Sequence, residues 1–247
     1  MDIHILTLFP GMFRGVFEES IIKRAKEKGL VKIFLHDLRK FGLGKRKTAD
    51  DYPYGGGAGM IMRIEPVYNA IKKIKSQNNK KKNKIKTILL SPQGEILNEE
   101  KSKKLAKGSS VILICGHYKG LDERIRLNLV DEEISIGDYV LSGGETAAMV
   151  LVDAMVRLIP GVLGNEESMH MDSFHQNILE GPLYTRPAEF EGMKVPKELL
   201  SGNHGQIAEW KRKEALRRTY SKRPELLNKI KLTKKDRQLL EEIKKEL

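Results

Sequence analysis

The sequence predicts an α/β fold with a parallel sheet, followed by a small all-helical C-terminal domain, and three observations predict it. Short apolar, β-branched runs recur through the first 140 residues, segments of helical character separate them, and charged helical sequence closes the chain. The runs are HILTLF (4–9), VKIFLHDL (31–38), KTILL (86–90), 109–115 with its apolar core at 111–115, and EEISI (132–136). Most are too apolar to alternate, which suits strands buried on both faces of a parallel sheet. Residues 12–28, 65–75, 98–107 and 122–129 read as the intervening helices, and strands alternating with helices indicate an α/β domain. From Gly143 onward, Ala147, Val150, Leu151, Ala154 and Leu158 fall on one helix face that ends before Pro160-Gly161. About thirty residues without sustained periodicity follow, through GPLYTRP (181–187); a stretch that long is functional or a linker. Beyond it Asn203 can cap a helix with Ile207 and Trp210 on its buried side, and Leu239, Leu240 and Ile243 are expected to anchor the last helix. The expected boundaries are a larger domain over 1–162, a linker over 163–177 and a helical domain over 178–247.

The 247 residues hold 45 Lys plus Arg against 33 Asp plus Glu, a net charge of +12. Residues 72–86 contain eight Lys and no acid, and residues 211–247 contain fourteen basic and six acidic residues, so each stretch carries +8 and the other 195 residues carry −4. A basic total points to nucleic acid or an anionic surface; here one run and one tail supply it. The single cysteine, Cys115, lies inside the apolar run VILIC, which excludes a disulfide framework or a Cys-rich zinc site and fits a reducing cytoplasm. The N-terminus has an acid at position 2 and lacks the basic region of a secretory signal. No apolar run approaches the roughly 20 residues that span a bilayer, so no membrane association is expected.

Three successive runs each end in a turn of small or polar residues. KTILL leads into Ser91-Pro92-Gln93-Gly94, the 109–115 run into Gly116-His117-Tyr118-Lys119-Gly120, and EEISI into the segment 137–145, GDYVLSGGE. Ligands of open α/β sheets bind beyond the carboxyl ends of the strands, and glycines there allow close backbone approach. Three such ends can line one pocket. Gly55-Gly56-Gly57-Ala58-Gly59 lacks the Gly-Lys-Ser/Thr ending of a nucleotide phosphate loop and no strand precedes it, so it reads as a mobile loop. His170, Asp172 and His175 lack the helical spacing of a metal site, and none is assigned.

The blocks LTLFPGMF (6–13), DDYPYGGGAGM (50–60), SPQG (91–94), CGHYKGLDER (115–124), SIGDYVLSGGE (135–145), IPGVLG (159–164), DSF (172–174), YTRP (184–187) and SGNH (201–204) closely resemble, in order along almost the whole chain, the bacterial tRNA (guanine-N1)-methyltransferases. The resemblance implies a SPOUT-class catalytic domain with a trefoil knot, a flexible linker, a helical tRNA-binding domain and a homodimer. It implies methyl transfer from S-adenosylmethionine to N1 of guanosine 37 of tRNA in a G36-G37 context. The three turns match the family's donor pocket, so Leu90, Ser91, Pro92, Gly116, Tyr118, Ile136, Gly137, Asp138, Tyr139, Val140, Leu141, Gly143 and Gly144 are the implied donor contacts. Where many members have an acidic residue, this chain has Lys119, and a role for Mg2+ stays open.

A sulfonium donor requires no protein nucleophile, only a base for the N1 proton and a cation near O6. By resemblance these are Asp172 and Arg157. Read without it, Asp172 is a cap or turn residue and Arg157 pairs with Asp153 on a solvated helix face. Arg24, Asp50, Tyr54, Ser173 and Arg186 are the implied RNA contacts. An Asp172 on a mobile linker would be ordered by RNA, completing the site only with substrate present. Lys211, Arg212, Lys213, Arg217 and Arg218 are expected on phosphates, Trp210 in the core of the helical domain, and the 72–86 run on a solvated surface loop.

Overall fold

The computed structural model describes residues 1–78, 85–164 and 172–246, and the chain divides into two units, Met1–Gly164 and Asn165–Leu247. The first is built on five parallel strands, β1 (Asp2–Thr7), β2 (Lys32–Asp37), β5 (Lys86–Ile96), β6 (Ser110–Cys115) and β7 (Glu132–Ser135), in the order β2-β1-β6-β5-β7. Period-two alternation explains why the runs are so apolar. Ile3, Ile5, Ile88, Leu90, Val111 and Leu113 face one buried cluster with Leu151, Val152 and Met155 of α6 (Gly144–Val156). Leu6, Leu89, Ile112 and Ile114 face a second cluster with Val67, Ala70, Ile71 and Ile74 of α3 (Ile64–Asn78) and Ile125 of α5 (Glu123–Leu129). Both faces of the central strands are therefore covered. Edge strand β2 differs: its consecutive residues Phe34 and Leu35, which point to opposite faces, are both exposed, so neither face of this strand is fully covered.

Two expectations need correction, and a third, the glycine loop, gains a place in the fold. The helix expected over 12–28 is broken into a 3-10 turn (Pro10–Phe13), α1 (Arg14–Phe17) and α2 (Ser20–Glu27), with Ser20 at φ 50°; stacking of buried Phe13 on Phe17, ring centroids 5.2 Å apart, favours the break. The glycine loop 55–59 joins a hairpin of β3 (Asp50–Asp51) and β4 (Ile61–Met62). Its four glycines all have positive φ, where a Cβ is strained. The 72–86 run is not one loop: Lys72, Lys73 and Lys75 belong to α3 around buried Ile74, buried Ile85 precedes β5, and Lys86 pairs with Glu132. Residues 79–84 lie outside the described residues. Helix α4 (Glu99–Ala106) connects β5 to β6, with the Asn98 side chain accepting from Lys101 N at its start.

The second unit is not wholly helical. A hairpin of β8 (Glu189–Phe190) and β9 (Met193–Lys194) precedes the short α7 (Lys197–Leu200), α8 (His204–Lys222) and α9 (Lys234–Glu246). Asn203 caps α8 as its type favours, its side chain accepting from Gly205 N and Gln206 N. The buried cluster is Ile178, Ala215, Leu216, Leu239, Leu240 and Ile243. Trp210 stands outside it, half-buried and tilted against Tyr184 at 6.3 Å, because α9 packs on the later turns of α8.

Candidate active site

Strands β6, β5 and β7 are parallel neighbours, so their carboxyl ends lie side by side. The 91–94 segment is a bulge within β5: Leu90 and Glu95 both pair with Ile134 of β7, and the residues between them are pushed out of the ladder. Gly94 sits so close to β7 that a Cβ there would meet the Glu133 and Ile134 backbone at 2.4 Å. This bulge, the turn after β6 and the loop after β7 enclose a cavity of about 330 Å³, within the range of small-molecule sites. Leu90, Ser91, Pro92, Gly116, Tyr118, Ile136, Gly137, Tyr139, Val140, Leu141, Gly143 and Gly144 line it, twelve of the thirteen residues expected from sequence. Asp138 does not: it is exposed at the centre of a tight turn closed by Tyr139 N donating to Gly137 O at 3.0 Å. Gln93, His117, Lys119, Leu121, Arg126 and Ser142 also line the cavity; of these only Lys119 stands out in the sequence, as the departure from the family's acidic residue.

Backbone proximity shapes the walls. Gly144 N donates to Gly116 O at 2.7 Å, and a Cβ on Gly144 would meet the Cys115 and Gly116 backbone at 2.8 Å, so α6 begins against the end of β6. A Cβ on Gly116 would find nothing nearer than 3.9 Å, the Leu121 side chain and the Leu90 carbonyl, and would stand in the cavity. Below the floor, buried Glu145 accepts from the Thr7 hydroxyl at 2.7 Å and lies 3.9 Å from His117 Nδ1. Burial, and secondarily Glu145, push the Cys115 thiol well up, so it is an inert core residue.

The hairpin β3–β4 borders the same cavity. Lys119 N donates to Met60 O at 3.1 Å and Met62 N to Gly120 O at 2.9 Å. Tyr118 has φ 59°, and its phenol is raised first by burial and then by the charge of the Asp50 carboxylate. Asp50 acts electrostatically on the cavity-lining Tyr118 without lining the cavity itself, whereas Tyr54 is fully exposed. Arg24 is exposed on α2, its Nε donating to Ser20 O at 3.4 Å. Arg157 caps the far end of α6, its N–H donating to Asp153 O. The 13 residues of α6, at 1.5 Å rise each, put about 20 Å between it and the glycines at the cavity.

Asp172, Ser173 and Arg186 belong to the second unit. Residues 172–177, assigned to the linker from sequence, form a hydrogen-bonded turn: Phe174 N donates to Ile178 O at 2.8 Å and Glu180 N to Ser173 Oγ at 3.0 Å. The turn is tied to α8 through Leu179 N donating to Thr219 Oγ1 (2.9 Å), Arg218 donating to Glu180 O (3.0 Å) and Arg212 donating to Gln176 Oε1 (3.3 Å). Asp172, Gln176, Ile178, Leu183 and Arg212 are among the residues lining a second cavity, about 180 Å³. Arg186 is exposed. Of the five basic residues expected on phosphates, four already have intramolecular partners: Arg212 binds Asp236 at 2.7 Å, Lys213 binds Glu242 and Glu246, Arg217 binds Glu214 and Glu246, and Arg218 binds Glu180 O. Lys211 is exposed. His170 lies outside the described residues; among those described, no three His, Cys, Asp or Glu are grouped to hold a metal ion, and no helix is long and apolar enough to cross a membrane.

Comparison with known sequences adds a family to this geometry. The profile described as tRNA (Guanine-1)-methyltransferase TrmD matches residues 1–229. Proteins named tRNA (guanine-N(1)-)-methyltransferase are similar over their full lengths. That of Geobacillus kaustophilus is 56% identical over 246 residues, covering 100% of this chain and 99% of the relative. That of Dictyoglomus turgidum is 54% identical over 247 residues, covering 100% and 98%, and one from Bacillus cereus is 52% identical over 246 residues, covering 100% of both.

Proposed function

The chain belongs to the tRNA (guanine-1)-methyltransferase family, and from that premise we propose that it transfers a methyl group from S-adenosylmethionine to N1 of guanosine 37 in tRNA carrying G36-G37. The observation that carries the donor assignment is the cavity at three adjacent strand ends, lined by twelve of the thirteen expected residues. The cavity fits the donor: Leu90, Ile136, Leu141 and Ala147 supply an apolar wall for a purine, main-chain groups of the three turns supply hydrogen bonds, and Gly116 leaves room a side chain would fill. Its charged lining residues are Lys119 and Arg126. Arg126 pairs with Glu123 and Glu133, so Lys119 is the cation disposed toward the donor's carboxylate. No residue is assigned to Mg2+.

When bound, the donor supplies a methyl group activated by its sulfonium. Guanine N1 takes the methyl and gives up its proton to the Asp172 carboxylate, while the Arg157 guanidinium neutralises the negative charge that develops at O6. Arg157 stands at the opposite end of α6 from the cavity of its own chain, which supports a homodimer in which one copy's Arg157 serves the other's donor pocket. The same reading makes 1–162 a knotted SPOUT domain, with α6 starting against the end of β6, and 178–247 the tRNA-holding domain, in a cytoplasmic enzyme. Asp50, Tyr54, Arg24, Ser173 and Arg186 are the proposed RNA contacts; Tyr54, Arg24 and Arg186 are exposed, and the Ser173 hydroxyl, which accepts from Glu180 N, keeps its proton to donate.

The test is methyl transfer from labelled donor to two transcripts, one with G at 36 and 37 and one with G36 replaced. Label is expected at N1 of G37 in the first alone. Equal labelling of both, or of neither, would overturn the assignment.

A further inference from the structure

We infer that helix α8 is the mounting of the general base, with Thr219 and Arg218 as positioning residues that hold the Asp172 carboxylate in place. The inference rests on the assignment of Asp172 as the base. Thr219 is fully buried, and its hydroxyl donates to Ala215 O at 2.7 Å and accepts from Leu179 N at 2.9 Å. A buried hydroxyl costs stability unless it is hydrogen-bonded, and a valine would pack equally well on an apolar helix face. What threonine adds is the tie to Leu179. One residue earlier on the helix, Arg218 donates to Glu180 O at 3.0 Å. From Glu180 the path closes at once on the base: Glu180 N donates to Ser173 Oγ, adjacent to Asp172, and Ile178 is anchored in the buried cluster of the unit.

The turn needs that support. Phe174 and Asn177 both have positive φ, 74° and 56°, a region unfavourable for residues with a Cβ and retained only where the surroundings impose it. The bonds from α8 reach the turn at its Leu179–Glu180 exit, where they fix the closure from Ser173 to Glu180. Arg218 would otherwise be read as a phosphate contact, and the two roles differ in what a substitution changes. A lost phosphate contact weakens tRNA binding and leaves the rate at saturation intact. A displaced base lowers the saturated rate and leaves tRNA affinity intact.

The experiment measures single-turnover methyl transfer at saturating donor and tRNA, with tRNA affinity measured separately, for Thr219→Val, Thr219→Ser, Arg218→Met and Asp172→Asn in the full-length protein. Thr219→Val and Arg218→Met are expected to slow the saturated rate about tenfold or more with tRNA affinity unchanged. Thr219→Ser, which keeps both hydrogen bonds, is expected to restore the rate. Normal saturated rates in Thr219→Val and Arg218→Met, or losses confined to tRNA affinity, would overturn the inference. Arg218→Met carries the test if Thr219→Val fails to fold. An active Asp172→Asn would instead refute the base itself, whereas an inactive Asp172→Asn beside a normal Thr219→Val refutes only the mounting.

Discussion

The cavity at the strand ends and the turn that carries Asp172 are held by opposite means. Around the cavity the sheet ladder fixes three strand ends, and the walls follow within a few residues of each: the 91–94 bulge, the glycine at 116, the 136–144 loop. Side chains matter there chiefly by their absence, since a Cβ on Gly94 or Gly144 would strike backbone under 3 Å away. The Asp172 turn has no ladder. It is held by side chains about forty residues later, Thr219 on Leu179 N and Arg218 on Glu180 O. A pocket made of backbone tolerates most remote substitutions and is defeated by added volume, while a turn hung from a helix is exposed to any change in that helix. On the proposed assignment the base belongs to the unit expected to hold RNA, so a preformed donor pocket would not by itself assemble the chemistry, an arrangement that favours specificity over rate.

The sharpest division between the two regions is expected from Asp172→Ala. Methyl transfer should fall by about 10²- to 10⁴-fold, the usual contribution of a positioned base, with donor affinity by calorimetry unchanged because the cavity lies in the other unit. A parallel loss of donor affinity would show that the regions are not independent. The reverse experiment is Gly116→Val. The added Cβ meets nothing nearer than 3.9 Å, so the fold, followed by far-UV circular dichroism, should be retained while the side chain occupies the donor's space and weakens donor binding at least about tenfold, a small penalty by the scale of overpacking. Unaltered donor affinity would remove Gly116 from the site.

The same contrast explains what could be read from the chain. The cavity was readable because a strand end and its turn are contiguous: Leu90 with Ser91, or Ile136 with Gly137, are neighbours in sequence and in space. Asp138 is the exception, because a three-residue turn with Asp138 at its centre leaves it exposed, a detail of φ and ψ without a residue-type signal. The turn of Asp172 reads as linker in the sequence because its periodicity is nil and its partners lie on α8. Thr219 and Arg218 looked like parts of a charged helix, and only tertiary structure shows their hydrogen bonds to 179 and 180. Trp210 was expected in the core on helical spacing, yet the position of α9 decided which turns of α8 are buried. Charge alone makes the 72–86 run look like one loop, whereas Ile74 and Ile85, buried at its two sides, tie its ends to α3 and β5.

The smallest effect, and the one that separates mounting from chemistry most cleanly, concerns Asp236. Its carboxylate accepts from Arg212 at 2.7 and 3.2 Å and from Thr233 N and Oγ1 at 3.0 and 2.8 Å, and Arg212 in turn reaches Gln176 of the Asp172 turn. The Arg212 guanidinium holds the Asp236 carboxyl down, from its ordinary 3.8 to about 2. Because the folded value lies below the unfolded one, the stabilisation is complete above about pH 4 and disappears as the pH falls through about 2; a shift of this size corresponds to roughly 2 kcal/mol. Asp236→Asn should therefore destabilise the second unit by about that amount at pH 7, and the gap between variant and parent should close between pH 4 and 2. The single tryptophan, Trp210, lies in this unit, so its fluorescence during urea unfolding reports the unit directly. Donor affinity should not move, and the methylation rate should fall only a few-fold, since Thr219 and Arg218 still hold the turn. A rate loss as large as that of Asp172→Ala would mean that Arg212 and Asp236, rather than Thr219 and Arg218, fix the base.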